Sequence, residues 1–175
     1  KLVSYANHSD NYHGVAISGP KSQVLLQRIT RDDVSLEAFR FRDIRQSYVG
    51  DIPAIIIRLS FSGELGYEIY CKPHYLVKLA ENIDEAGKDL GFRWYGARAL
   101  LSMRLEKQWG VWTLDFRPDF TLAESGLDAF IDWNKDFIGK EAAEKERRDG
   151  PKKRLVTLTI ESEEIDVSND EAILK

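Results

Sequence analysis

Glu68 and Arg98 are the two charged side chains whose settings in this sequence ask for a chemical explanation. Glu68 sits between Tyr67 and Ile69 in an apolar, strand-forming stretch that ends at Cys71. Side chains alternate across a strand, so Glu68 shares a face with Gly66 and Tyr70, opposite Tyr67 and Ile69. A carboxylate facing inward there needs partners to offset its desolvation. Arg98 falls in the first turn of a helical segment, where the helix dipole disfavours a cation, so its presence suggests a specific partner. Polar residues of this kind beside aromatics would suit a flat polar ligand. Taken alone, the plainer reading comes first: Glu68 as an outward strand residue and Arg98 as a surface arginine, because most charges in a soluble domain are simply solvated.

Other chemistry is poorly represented. There is no Gly-rich phosphate loop ending in Lys-Ser or Lys-Thr, no Gly-x-Gly-x-x-Gly, no His-Glu-x-x-His and no Gly-x-Ser-x-Gly. His8, His13 and His74 are scattered, which argues against a histidine metal site. Cys71 is the single cysteine, so the chain cannot close a disulfide or a cysteine cluster on itself. Trp109, Trp112 and Trp133 read first as core bulk.

The elements that must position Glu68 and Arg98 follow from periodicity. Gly14–Ser18 is a short apolar strand. Gly19-Pro20 then opens a helix carrying Val24, Leu25 and Ile29, with Pro20 suited to a first turn. Phe39, Phe41, Ile44 and Tyr48 alternate loosely, Gly50-Asp51 makes a turn, and Ala54–Ile57 is a β-branched run typical of a buried strand. Ser62–Gly66 is a Gly-bounded turn before the strand carrying Glu68. An amphipathic helix from Pro73 lines up Leu76, Leu79, Ala80, Ile83 and Gly87, and a second spans Ala97–Lys107. A charged helix, Gly139–Arg148, ends at Gly150-Pro151, and Leu155–Ile160 reads as a final alternating strand. The order predicts an α+β fold, a mainly antiparallel sheet with packed helices. The Gly150-Pro151 break is the expected domain boundary.

The composition fits such a domain. Of 175 residues, 43% are hydrophobic and 31% charged, with a net charge of -4. That balance offers no basic face for nucleic acid. No apolar run reaches the roughly 20 residues of a membrane span, and no signal-peptide layout opens the chain. A soluble protein of a reducing compartment is expected, cytoplasmic or in the mitochondrial matrix. The polar start at Lys1 and the apolar pattern resuming at Ala172–Leu174 read as the cut ends of a longer protein.

Several collinear segments carry a family resemblance. They are Ala16-Ile17-Ser18-Gly19-Pro20-Lys21-Ser22 with Leu25-Leu26, Phe61-Ser62-Gly63-Glu64-Leu65-Gly66-Tyr67-Glu68-Ile69-Tyr70, and Gly96-Ala97-Arg98-Ala99-Leu100 through Arg104-Leu105-Glu106-Lys107. Two more are Leu122-Ala123-Glu124-Ser125-Gly126-Leu127 and Lys135-Asp136-Phe137-Ile138-Gly139-Lys140-Glu141-Ala142. Together, over His13 to Ile160, they resemble the folate-binding region of the aminomethyltransferase (glycine-cleavage T-protein) family. Gly19-Pro20-Lys21-Ser22 and Asp115-Phe116-Arg117-Pro118-Asp119 look closest to the version at the C-terminus of dimethylglycine and sarcosine dehydrogenases.

The resemblance implies residues 1–150 as a folate-binding domain lacking its N-terminal part, and 151–175 as the start of a C-terminal β-barrel domain. It implies tetrahydrofolate as cofactor, with Glu68 and Arg98 holding the pterin ring and Phe61 and Tyr67 completing the cofactor-binding set. A pterin edge presents a ring N–H beside an amino group, which a carboxylate accepts bidentately, and a carbonyl and ring nitrogen that a guanidinium serves. Phe61 stands where dehydrogenase relatives carry an aromatic, often Tyr; lacking a hydroxyl, it can only pack. The family's catalytic Asp falls upstream of Lys1, so the fragment alone is expected to be inactive and no catalytic residue is assigned within it. FAD would belong to a separate upstream flavin domain that oxidises a methylamine-type substrate, the released one-carbon unit passing to folate. Nucleic-acid and membrane partners are not expected.

Alternatives sharing this fold are a free-standing glycine-cleavage T-protein, a folate-dependent sulfonium demethylase and a non-enzymatic folate-dependent assembly factor. The last carries Lys-Gly-Cys-x-x-Gly-Gln, where this chain has Lys135-Asp136-Phe137-Ile138-Gly139-Lys140, without Cys.

Overall fold

The structure, a computed structural model, describes residues 2–161. It falls into two compact units, Lys1–Trp109 and Gly110–Lys175. The Gly150-Pro151 break, expected as a domain boundary, lies inside the second unit.

The first unit is built on four strands: β1 (His13–Ser18), β2 (Ile44–Val49), β3 (Ile52–Ile57) and β4 (Gly66–Cys71). They form one sheet in the order β1-β4-β3-β2, with every neighbouring pair antiparallel. The two-residue turn Gly50-Asp51 joins β2 to β3, with Gly50 in the left-handed region at φ 59°. Pro53 is tolerated within β3 because β4 pairs only from Ala54 onward, so its missing N–H takes no bond from that ladder.

Two helices cover one face of this sheet. They are α1 (Ser22–Ile29), which follows β1, and α2 (Leu76–Gly87), which follows β4. Leu25 and Leu26 of α1 and Leu79 and Ile83 of α2 meet Ile17, Ile56, Tyr67, Ile69 and Cys71 in one buried cluster. Burying each large apolar side chain contributes about 2 kcal/mol. Arg28 ties the helical layer together, donating to both oxygens of Asp89 at 2.5 and 2.9 Å and to the Ala86 carbonyl at 2.8 Å.

Gly87, the last residue of α2, stands where no side chain fits. A methyl group would lie 2.5 Å from Phe92 Cβ and 3.2 Å from Leu25 Cδ1. In an open helix Gly→Ala stabilises by about 1 kcal/mol. Here the overlap reverses the sign, and Gly87→Ala is expected to lower the urea midpoint of unfolding; a raised midpoint would contradict this packing.

The stretch Phe39–Tyr48, which alternates like a strand, is a strand only from Ile44. Asp43 Oδ2 accepts the Arg40 N–H at 2.8 Å, and the Asp43 N–H bonds back to the Arg40 carbonyl at 2.9 Å. This local capture closes a turn at residues 40–43 that interrupts the regular strand, although the Arg42 N–H and the Asp43 carbonyl still bond Arg58 beyond β3 at 2.9 and 3.0 Å. Phe39 instead drops into the core against Tyr67, with ring centroids 5.9 Å apart.

The first unit closes with α3 (Ala97–Glu106), and the second unit contains α4 (Lys140–Asp149). α4 starts from Gly139 at φ 87°, a conformation that glycine adopts without strain. Around it the second unit is mostly turns, pinned by local bonds such as Thr121 Oγ1 donating to Glu146 at 2.7 Å and Arg147 resting 4.7 Å over the Trp133 ring. Leu155–Ile160, expected as a strand, joins no ladder among the described residues. Among the described residues its backbone is anchored by the Leu155 N–H to the Glu124 carbonyl at 2.8 Å, and a strand without a partner has nothing to hold it extended. The apolar Ala172–Leu174 segment and most of the expected barrel start lie outside the described residues.

Candidate functional site

The face of the sheet turned away from α1 and α2 carries the polar groups. Strand alternation sends Tyr67, Ile69 and Cys71 into the core and leaves Glu68 and Tyr70 on the other side, both half-buried. Across the ladders Glu68 faces Ala16 of β1 and Ile57 of β3, while Tyr70 faces Gly14 and Ile55. Further along this face Ile44 and Tyr48 of β2 are about 60% exposed (63% and 60%), leaving an apolar surface beside the carboxylate.

The Tyr70 hydroxyl donates to Glu68 Oε2 at 2.7 Å, the short contact of a charge-assisted bond. That bond, then burial, then the carboxylate's charge push the phenol up to about 12. The bond is therefore intact below the ordinary phenol range near 10 and is lost only as pH climbs toward the raised value. Tyr70 occupies one lone pair of Oε2; Oε1 and the remaining lone pair still accept, so the carboxylate can take a two-donor ligand edge.

α3 is fastened at both ends. Tyr95, just ahead of it, shares a hydrogen bond with Ser18 at the end of β1, 2.9 Å between hydroxyl oxygens. At its other end Lys107 pairs with Glu64 at 2.7 Å, across Gly63, where a side chain would meet the Lys107 stem at 2.8 Å. Glu64 thus serves the turn and its lysine. Ser62, buried in the same turn, bonds Ser60 at 3.0 Å, and Phe61 beside it stays 36% exposed. Between β1, the start of α1 and α3 lies a cavity of about 650 Å³, walled by Ile17, Pro20, Trp94, Tyr95, Leu100 and Met103.

Of the four expected ligand-contacting residues, Tyr67 alone is turned to the opposite face of the sheet from Glu68. Glu68 lies on the uncovered sheet face and Phe61 on the neighbouring turn. Arg98 is exposed on α3, off the Ala97–Leu100–Met103 side that walls the cavity. Among the described residues neither Glu68 nor Arg98 forms an ion pair, no bond joins them, and neither lines that cavity. Tyr67, expected in the ligand set, is fully buried on the helical side, its hydroxyl donating to the Val34 carbonyl at 3.3 Å. Burial pushes its phenol upward. It is a core residue, and it cannot touch a ligand lying on the face that carries Glu68. Tyr70, which shares the face of Glu68, and Gly14, which pairs with Tyr70 across β1 and β4, complete the surroundings of the carboxylate. The i+2 spacing signals the first; the second emerges only from the β1–β4 register.

Among the described residues no cluster of His, Cys, Asp and Glu could hold a metal ion, and no helix is long and apolar enough to cross a membrane.

Residues 1–135 match the family described as the GCVT N-terminal domain, well over half of the chain. The chain belongs to this family. Among relatives of the GCVT N-terminal domain, mitochondrial dimethylglycine dehydrogenase of Mus musculus is 36% identical over 173 residues, 98% of this chain and 20% of its own length. Aminomethyltransferase of Caldanaerobacter subterraneus is 35% identical over 156 residues, 88% of this chain and 41% of its own. The chain thus spans a minor part of each curated relative. A solved heterotetrameric sarcosine oxidase from Corynebacterium sp. U-96, in complex with pyrrole 2-carboxylate, is similar at TM-score 0.44 and 16% identity, over 51% of this chain and 44% of that one. The antiparallel sheet with packed helices and the aminomethyltransferase family expected from the sequence both stand.

Proposed function

We propose that this GCVT domain is the tetrahydrofolate-binding part of a one-carbon transferase, carried in a flavin-linked dehydrogenase of the dimethylglycine type. The observation that carries the reading is Glu68: a half-buried carboxylate on an uncovered sheet face, with acceptor capacity to spare and no cation of its own among the described residues. Buried charges are normally paired, so such a group suits a ligand that brings donors. A pterin edge brings a ring N–H and an amino group side by side.

The donor set fits the cofactor in kind. Glu68 would hold the amino edge of the pterin, Arg98 is free among the described residues to donate to its carbonyl side, and Phe61 offers a ring to pack on it. When bound, tetrahydrofolate supplies a nucleophilic nitrogen that accepts a one-carbon unit. The chain's own contribution is to orient that molecule, the kind of positioning that removes entropy from the reacting encounter. The proton-handling Asp of the family and a FAD-bearing domain belong to the proposal as parts of a longer polypeptide, with a methylamine-type compound as the substrate oxidised there. Alignment over nearly the whole chain with dimethylglycine dehydrogenase, against a shorter stretch of aminomethyltransferase, favours the flavin-linked form over a free-standing transferase.

Arg98 supplies the test. In the full-length protein, Arg98→Ala is expected to weaken tetrahydrofolate binding about tenfold by titration calorimetry, the loss of one charged hydrogen bond. Arg98→Lys is expected to restore little, because an ammonium lacks the planar fork. Unchanged affinity in both variants would remove Arg98 from the site.

A further inference from the structure

We propose that Tyr70 is a positioning residue for Glu68, and that Gly14 is glycine in order to seat it. The inference rests on the folate reading of Glu68 and adds to it a device that aims the carboxylate before any ligand arrives.

The geometry begins with the glycine. Gly14 lies in β1, the edge strand of the sheet, where glycine weakens a strand because it has no side chain to pack. Its partner across the β1–β4 ladder is Tyr70. A methyl group at Gly14 would sit 2.8 Å from both Cδ1 and Cε1 of the Tyr70 ring, and 3.2 Å from the Ile69 carbonyl. The ring therefore occupies the space that a β1 side chain would fill, an aromatic covering a glycine on the neighbouring strand.

Seated there, the ring is directed at its own strand neighbour. Tyr70 and Glu68 stand two residues apart on one face, and the hydroxyl reaches Glu68 Oε2 at 2.7 Å. A free glutamate samples many rotamers and must surrender them on binding. A carboxylate already held by a donor has surrendered them beforehand, and the phenol, pushed up to about 12, remains that donor throughout the neutral range. No basic side chain hydrogen-bonds or ion-pairs with Glu68 among the described residues, so the tyrosine fixes the carboxylate without neutralising it. That leaves its full charge for a ligand's N–H groups.

The test measures tetrahydrofolate dissociation constants by calorimetry, under reducing conditions, in the full-length protein and in Tyr70→Phe, Gly14→Ala, Glu68→Ala and the Tyr70→Phe/Glu68→Ala double variant. Tyr70→Phe keeps the ring over Gly14 and removes only the hydroxyl. It is expected to weaken binding about tenfold with an unchanged thermal midpoint. A purely structural tyrosine would be replaced by phenylalanine without loss. In the Glu68→Ala background the same change is expected to do nothing more, since there is no carboxylate left to aim. Gly14→Ala displaces the ring and is expected to weaken binding in the same direction. Tyr70→Phe with wild-type affinity, alongside a weakened Glu68→Ala, overturns the positioning role and leaves the folate reading standing. Wild-type affinity in Glu68→Ala overturns both. Equal losses from Tyr70→Phe with and without Glu68 also overturn the positioning role.

Discussion

Glu68→Ala in the full-length protein is expected to lower tetrahydrofolate affinity on the order of 100-fold and to leave the thermal midpoint unchanged. The size follows from the chemistry of the lost contact. A carboxylate accepting two donors of one ligand edge makes two charge-assisted hydrogen bonds, worth about 1.5–3 kcal/mol each at most, and about 1.4 kcal/mol is a factor of ten in binding. The neutrality toward folding follows from placement. Glu68 holds no ion pair among the described residues, and its one bond is to Tyr70, whose hydroxyl turns to water when the carboxylate is removed. Calorimetric titration with a parallel thermal melt reads both halves. A variant that binds as the wild type does, or that unfolds, contradicts the placement.

The second large effect comes from the residue immediately before it. Tyr67→Ala is expected to destabilise the protein by about 3–5 kcal/mol, the range for removing a buried aromatic side chain. Tyr67 is fully buried, stacked on Phe39 at 5.9 Å, and its hydroxyl bonds the Val34 carbonyl, so the truncation empties a cavity and strands a polar group. Against a typical stability of about 5–15 kcal/mol, that loss is visible as a large drop in the urea midpoint. Tyr67→Phe keeps the stack and loses only the hydrogen bond, about 1 kcal/mol. Folate affinity measured on the folded Phe variant stays at the wild-type value. A weakened Tyr67→Phe would place that hydroxyl at the ligand instead of in the core. The adjacent positions 67 and 68 thus separate stability from binding in one strand.

These two residues also show where the sequence speaks and where it does not. The strand itself is legible, because β-branched and aromatic residues between Ser62–Gly66 and Pro73 admit little else. So are Ala54–Ile57, the Gly50-Asp51 turn and the apolar stripe of α2. Alternation alone already sets Tyr67 and Glu68 on opposite faces, so placing both against one ligand was inconsistent with the strand that carries them. Which face meets the helices is decided by Leu26, Leu79 and Ile83, residues outside the strand itself. Phe39–Asp43 misleads for a different reason. Its alternation is real, but the Asp43 carboxylate takes the Arg40 N–H and closes a turn that hydrophobic spacing does not register. Leu155–Ile160 alternates as well, and a strand needs a partner that pattern cannot supply. Gly14 lies beyond reach of pattern altogether, since its reason is the ring of Tyr70 on another strand.

Glu68 and Arg98, expected to hold one pterin ring, share no hydrogen bond or ion pair among the described residues. The 650 Å³ space beside β1 is lined by Trp94, Tyr95 and Met103 together with Lys21, Glu64 and Arg93, and by neither Glu68 nor Arg98. The uncovered sheet face is therefore the surface on which a ligand would find the carboxylate, with Tyr70 holding it in place.

A structure of the full-length protein with tetrahydrofolate bound is the most direct measurement. The pterin ring N–H and amino group are expected against the Glu68 carboxylate, on the side of the sheet away from Leu26 and Ile83. A pterin lodged instead among Trp94, Tyr95 and Met103, with Glu68 bare of ligand, would contradict the assignment.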